Sequence, residues 1–135
     1  MHIATEDQML DLTNTLLGLA ATKLSEGRFE IFGLAVQLDG ELAHISSRDE
    51  VEPTIDGIAA TCKRVQAACL AFGIFAMVEV EGMPDACLFT MAIEQRSAGA
   101  VCSYGLIAKG PDGLYDVEAG HHVPATPSLF VKVHH

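Results

Sequence analysis

The sequence predicts an α+β fold in which two helices pack on a single antiparallel sheet of five or six strands. Two stretches, residues 5–26 and 54–72, repeat apolar side chains at the three- and four-residue spacing of an amphipathic helix. Other short stretches alternate apolar and polar residues between glycine- or proline-containing turns, which is typical of antiparallel strands. The predicted order is helix, β-hairpin, helix and β-meander. At this length we expect one domain, residues 1–135.

The first helix is predicted at residues 5–26. Thr5 is suited to be the N-cap, and Gln8 follows three residues later, which is the spacing of a capping box. Gly27 supplies a helix stop. The apolar face of this helix is broad, so we expect part of it to contact a second subunit.

Residues 29–38 and 41–46 predict two strands of a hairpin. Asp39-Gly40 between them tolerates the positive φ angles of a two-residue type I′ turn. This turn predicts the cross-strand pairs Leu38 with Glu41, Val36 with Ala43 and Leu34 with Ile45.

Residues 54–72 predict the central helix, which crosses from the hairpin to the meander and ends at Gly73. Its apolar stripe consists of Ile58, Cys62, Val65, Cys69 and Phe72. A single stripe of this kind indicates one sheet beneath the helix.

Four strands are predicted after the central helix, at residues 74–81, 87–95, 101–109 and 114–117. Residues 119–135 predict an extended C-terminal tail. We expect Leu129, Phe130 and Val131 to dock this tail on the body, because three adjacent apolar residues favour burial.

The formal net charge is −10, from 8 basic and 18 acidic residues, and the basic residues are scattered. Nucleic acids and anionic membranes bind clustered basic faces, so the composition argues against both partners. The N-terminus is acidic where a secretory or transit signal would be basic. We therefore expect a cytoplasmic protein whose acidic bias serves solubility.

The chain is half hydrophobic, yet its longest uncharged run, residues 65–78, is shorter than the ~18 apolar residues of a membrane-spanning helix. An apolar surplus in a domain of this size predicts that another copy covers part of the surface. We expect a homo-oligomer, most simply a dimer, with a protein partner as a further expectation.

The cysteines lie in apolar stretches and form no C-x-x-C pair; they are Cys62, Cys69, Cys87 and Cys102. This pattern predicts buried free thiols rather than a zinc site. The sequence also has no glycine-rich phosphate loop and no G-x-S-x-G nucleophile motif. We therefore predict no cofactor, no metal site and no catalytic residue.

The candidate ligand-binding residues are His44, Glu94, Arg96 and His121. His44 falls on the predicted hairpin face that carries Gly33 and Ala35, small residues that suggest an open pocket floor around an imidazole. Glu94 lies near a strand end, where a surface pair with Arg96 also explains it. His121 and His122 are adjacent in an extended segment, so we expect their side chains to point to opposite sides.

Short pieces of the chain resemble a group of uncharacterised small bacterial α+β proteins. These pieces are Phe32-Gly33, Asp39-Gly40, Pro53, Asp85-Ala86, Ile93-Glu94, Gly99 and residues 127–130. The order of elements also resembles the sheets of profilin, roadblock and PAS folds. That resemblance implies the strand order 2-1-5-4-3 and a role in binding, sensing or dimerisation, and it specifies no activity, cofactor or site.

We interpret the chain as a non-enzymatic module that self-associates and binds a protein or a small molecule. Two alternatives stay open. The first is a small hydrolase or metal-assisted enzyme that uses His44, Glu94 and His121 or His122, which requires these groups to meet in one cleft. The second is an acidic, immunity-type or structural partner of another protein, which would use the carboxylates of residues 49–56.

Overall fold

A computed structural model describes residues 3–46 and 53–130. In these ranges the chain forms two α-helices, α1 (Glu6–Ser25) and α2 (Ile55–Val65), and six strands. The strands are β1 (Ile31–Gln37), β2 (Leu42–Ile45), β3 (Cys69–Val80), β4 (Met83–Gln95), β5 (Gly99–Lys109) and β6 (Tyr115–Ala125). They form one antiparallel sheet with α1 on one side and α2 on the other, which confirms the predicted α+β architecture.

α1 begins at the predicted capping box. Thr5 Oγ1 accepts the Gln8 N–H at 3.1 Å, and Gln8 Oε1 accepts the Thr5 N–H at 2.8 Å. Gly27 follows the helix with a φ of 73°, the left-handed conformation of a C-terminal stop. The side chains that α1 buries against the sheet recur every four residues; they are Leu12, Leu16, Ala20 and Leu24.

The sheet order is β2-β1-β3-β4-β5-β6, so β3 lies in the interior between β1 and β4. The first seven residues of β3 are all buried, which means that both of its faces are covered. The order 2-1-5-4-3 implied by the profilin, roadblock and PAS resemblance is therefore wrong for this chain. It would place this strongly apolar strand at an edge, where helices on the two sides cover it least.

The hairpin of β1 and β2 differs by one residue from the predicted register. Gln37 and Glu41 close a three-residue loop, with the Gln37 N–H donating to Glu41 O at 2.9 Å. Only Gly40 in this loop has a positive φ, 86°, whereas a type I′ turn requires two such residues. The observed pairs are Val36 with Leu42, Ala35 with Ala43, Leu34 with His44 and Gly33 with Ile45.

This register places His44 opposite Leu34 on the α1 side of the sheet. Gly33 and Ala35 face α2 instead, where a Cβ on Gly33 would come within 2.9 Å of Ile58 Cγ2. The predicted face that joins His44 to these small residues is therefore wrong. Gly33 and Ala35 make room for α2 and do not form a pocket floor.

α2 is shorter than the predicted helix at residues 54–72. It ends at Val65, a 3-10 turn occupies Gln66–Ala68, and β3 begins at Cys69. The predicted apolar stripe is therefore divided, with its first part on the helix and its last part on the sheet beneath. Gly73, the predicted helix end, lies inside β3, where a Cβ would overlap Leu16 of α1.

β6 is longer than predicted and includes the first residues of the predicted tail, 119–125. A bulge near Tyr104 interrupts its pairing with β5, and Pro124 is tolerated because β6 is an edge strand. We call residues 126–130, which leave the sheet after β6, the strap. Leu129 and Phe130 dock on the body as predicted, and Val131 lies outside the described residues.

The two sides of the sheet are covered unequally. On the α1 side, Phe32, Phe75 and Phe89 stack in series with centroid separations of 5.3 Å. On the other side, α2 packs mainly over β1, β2 and β3, and the strap crosses one end. Within the described ranges, the β4 to β6 part of this side has no helix over it.

Candidate functional site

The α2 side of β4, β5 and β6, together with the end of β3, presents apolar side chains to solvent. Val78 is 65% exposed, Leu88 54% and Tyr104 43%. Val78 pairs with Leu88, and Leu88 pairs with Leu106, so these side chains are neighbours across three strands. We call this surface the open face; it consists of Val78, Leu88, Thr90, Ala92, Cys102, Tyr104, Leu106, His121 and Val123.

The alternation of β4 produces much of this face. Phe89, Met91 and Ile93 are buried on the α1 side, whereas Leu88, Thr90 and Ala92 point to the α2 side and are exposed. None of these nine residues is acidic, lysine or arginine, and the acidic residues of β6, Asp116 and Glu118, stand opposite Ala108 and Leu106 at one end of the face. The result is an apolar sheet surface on a strongly acidic chain.

Sequence reasoning missed the open face, since none of its residues except His121 was a predicted site residue. One sequence feature indicates this surface. Val78 and Leu88 are apolar although they face away from the α1 core and α2 packs over other parts of the sheet. A strand of a one-sided sheet usually has polar residues at such positions.

His121 and His122 lie on opposite sides of β6, as predicted. The His121 ring stacks on Tyr104 with 5.1 Å between centroids and belongs to the open face. His122 Nδ1 lies 2.6 Å from Ser103 Oγ. Ser103 is buried, so this pair is a contact between β5 and β6 that leaves the serine oxygen inaccessible to a substrate.

His44 is exposed on β2 and contributes to the electrostatics of the α1 side. The pKa of Glu30 lies below its ordinary value, mainly because Lys23 Nζ donates a hydrogen bond to it at 2.6 Å. The positive charges of Lys23 and Arg28 lower this pKa further, and His44 adds a smaller effect.

Glu94 holds the strap on the α2 side. Its side chain is buried, and Oε1 accepts the Ser128 N–H at 2.7 Å. Oε2 accepts the N–H groups of Leu129 at 2.8 Å and Phe130 at 2.7 Å. Leu129 is thereby buried, and the Phe130 ring stacks on Phe72 with 5.0 Å between centroids.

Arg96 does not form the predicted surface pair with Glu94. Its Nε and Nη2 atoms donate to Cys69 O at 3.0 Å and 2.6 Å, and Nη2 also donates to Gln66 O. The guanidinium carbon lies 5.2 Å from the centre of the Phe130 ring. Arg96 therefore fixes the turn before β3 and covers the aromatic ring of the strap.

A pocket of about 150 Å³ lies between α2, the strap and the sheet. Its lining is mostly apolar, and the Glu94 side chain forms part of it. The lining includes Ile55 and Ala59 of α2, Ile74 of β3, Ala92 and Glu94 of β4, and Ser128 of the strap. Because Ala92 belongs to both features, the pocket is continuous with the open face.

The candidate ligand-binding residues do not converge in one cleft. His44 and Glu94 lie on opposite sides of the sheet. His121 and Glu94 share a side, but two strand spacings and four residues along β6 place them roughly 16 Å apart. The geometry therefore presents two separate features, the open face with His121 and the pocket with Glu94.

No family model, curated protein or solved structure matches this chain.

The thiols differ in accessibility. Burial raises the pKa of Cys62 to about 12 and also raises the pKa values of Cys69 and Cys87. Cys102, on the open face, is partly exposed. Three buried thiols with raised pKa values are unreactive near neutral pH.

The described part of the chain contains no group of three His, Cys, Asp or Glu side chains placed to hold a metal ion. Across the same residues, no helix is long and apolar enough to cross a membrane. Residues 49–52, which the acidic-partner alternative uses, lie outside the described ranges.

Proposed function

We propose that the protein is a non-enzymatic module that self-associates through the open face. The observation that carries this proposal is the group of exposed apolar side chains, Val78, Leu88, Tyr104 and Val123, side by side on one sheet surface. Contiguous apolar patches of this kind mark interaction sites on proteins.

The size of the open face suits a modest interface. Each residue on one side of a sheet covers about 4.8 Å by about 6.6 Å, so the nine residues of the open face give a flat footprint on the order of 300 Å². The accessible surface of protruding side chains exceeds this projected area. The open face therefore supplies a large share of the ~800 Å² per partner that a standard interface buries.

A second copy of the chain is the occupant that fits the charge distribution best. The chain carries a net charge of −10, yet none of the nine residues of the open face is a carboxylate, and the acidic residue Glu118 stands opposite Leu106 at one end of the face. Two copies can therefore meet over the rest of the face without opposed acidic residues. A twofold axis through the face would pack two sheets as in a β-sandwich, with the acidic surfaces outside.

Light scattering coupled to size exclusion tests this proposal with a matched pair of variants. Leu88→Lys places a charge in the open face, whereas Leu114→Lys places the same charge on an exposed leucine in the loop between β5 and β6. We expect the wild type and Leu114→Lys to have the mass of a dimer at micromolar concentration and Leu88→Lys to be monomeric. A monomeric wild type, or an unchanged mass for Leu88→Lys, overturns the proposal.

A further inference from the structure

Glu94 is a buried acid without an ion-pair partner in the described part of the chain. Its side chain is 4% exposed, and its nearest basic neighbour in sequence, Arg96, donates to backbone carbonyls instead. Three backbone N–H groups of the strap donate to its carboxylate. Buried charges in proteins are normally paired with an opposite charge, so a buried carboxylate that has N–H donors but no ion pair favours a cation beside it.

The carboxylate also retains acceptor capacity. An ionised carboxyl group has about four acceptor positions. Oε2 accepts two N–H groups, whereas Oε1 accepts only that of Ser128. Oε1 therefore has the capacity to accept one further hydrogen bond.

The pocket beside Glu94 provides space for an apolar body. Its volume is about 150 Å³, and Ile55, Ala59, Ile74 and Ala92 supply apolar walls. A volume of this size admits a molecule as large as benzene. The low polarity of these walls strengthens the attraction between a bound cation and the carboxylate.

From these two observations we propose that the pocket binds a small organic ammonium ion, with its apolar body between α2 and β4 and its N–H group on Glu94 Oε1. The ligand class is a primary amine that carries one ring or a short branched chain. Anions are excluded because the carboxylate repels them, and neutral compounds of the same shape gain only the apolar contacts.

Benzylamine, which is protonated at neutral pH, is a suitable probe for the full-length protein. Benzyl alcohol and benzoate are its neutral and anionic counterparts with the same ring. Titrations followed by ¹H–¹⁵N NMR measure affinity and location together. We expect benzylamine to shift the amide signals of Ser128 and Leu129, benzyl alcohol to bind at least tenfold more weakly, and benzoate not to bind.

Two variants and one control locate the site. Ala92→Leu fills the pocket from an exposed sheet position and should abolish the benzylamine shifts. Ala98→Leu, at an exposed turn position outside both the pocket lining and the open face, should retain them. Glu94→Gln removes the charge, and circular dichroism checks that it folds.

The outcomes decide the proposal even if Glu94→Gln does not fold, because the ligand series and Ala92→Leu use an intact carboxylate. Equal affinity for benzylamine and benzyl alcohol contradicts a charge-selective site. Unchanged binding in Ala92→Leu, or shifts confined to residues far from the strap, contradicts the assigned location. Absence of any benzylamine shift at millimolar concentration overturns the proposal as a whole.

Discussion

The backbone N–H of Phe130 donates a hydrogen bond of 2.7 Å to Oε2 of Glu94, although the two residues lie 36 positions apart in the chain. The same carboxylate accepts the N–H groups of the two preceding residues. One acidic side chain therefore determines where the strap lies, and with it one wall of the pocket.

Replacement of Glu94 by alanine should destabilise the fold by about 3 kcal/mol, because three backbone N–H groups lose a charged acceptor and Leu129 and Phe130 lose their anchor. Urea denaturation measures the free energy of unfolding. Glu79→Ala is the control, since Glu79 is exposed on β3 and should change stability by less than about 0.5 kcal/mol. Similar values for the two variants would show that the strap contributes little.

Gly73 and Gly18 should respond in opposite ways to substitution by alanine. A Cβ at Gly73 overlaps Leu16, and overpacking of this kind should cost about 2 kcal/mol. Gly18 lies within α1 with open space around it, so Gly18→Ala should stabilise the protein by about 0.5 to 1 kcal/mol. Thermal unfolding of both variants checks the signs, and a stabilised Gly73→Ala would contradict the packing of α1 on β3.

The folded monomer, obtained with Leu88→Lys, should present one reactive thiol, because a dimer through the open face would cover Cys102. Cys102 is partly exposed, whereas the other three cysteines are buried and have raised pKa values, about 12 for Cys62. Iodoacetamide at mildly alkaline pH should therefore modify one site, identified by peptide mass spectrometry, and all four in urea. Rapid modification of Cys62 in the folded protein would be inconsistent with its position on the buried face of α2.

The Lys23–Glu30 ion pair should contribute stability only above acidic pH. The pKa of Glu30 is lower in the folded protein than its ordinary value of 4.5. Ionised Glu30 therefore stabilises the fold above that value, and this contribution disappears as the pH falls through the lowered folded value. The urea midpoint of Glu30→Gln should lie below that of the wild type at neutral pH and converge with it well below 4.5. An equal difference at both pH values would exclude the ion pair as its cause.

Local chemistry predicted the parts of the fold that depend on neighbouring residues. The capping box of Thr5 and Gln8 and the stop at Gly27 appear as expected, because each involves a few adjacent residues. The hairpin register was wrong by one residue, since Asp-Gly fits both a two-residue turn and the observed three-residue loop. The sequence predicts a helix through residues 66–72 because Cys69 and Phe72 fit helical spacing as well as they fit a strand, whereas the structure has a 3-10 turn and the start of β3 there.

The candidate site depends on contacts that sequence spacing does not reveal. Glu94 was a predicted ligand-binding residue, but its bonds to the strap come from residues 34 to 36 positions away. The open face arises because α2 covers one part of the sheet and leaves the other, which follows from tertiary packing and not from the pattern of any one strand.

The most direct test of self-association through the open face is an isotope-filtered NOE experiment on a mixture of ¹³C-labelled and unlabelled protein. We expect contacts between copies from the methyl groups of Val78, Leu88, Leu106 and Val123, and none from the exposed Leu114. Contacts that arise instead from Leu10 on α1, or the absence of contacts between copies at millimolar concentration, would contradict the account.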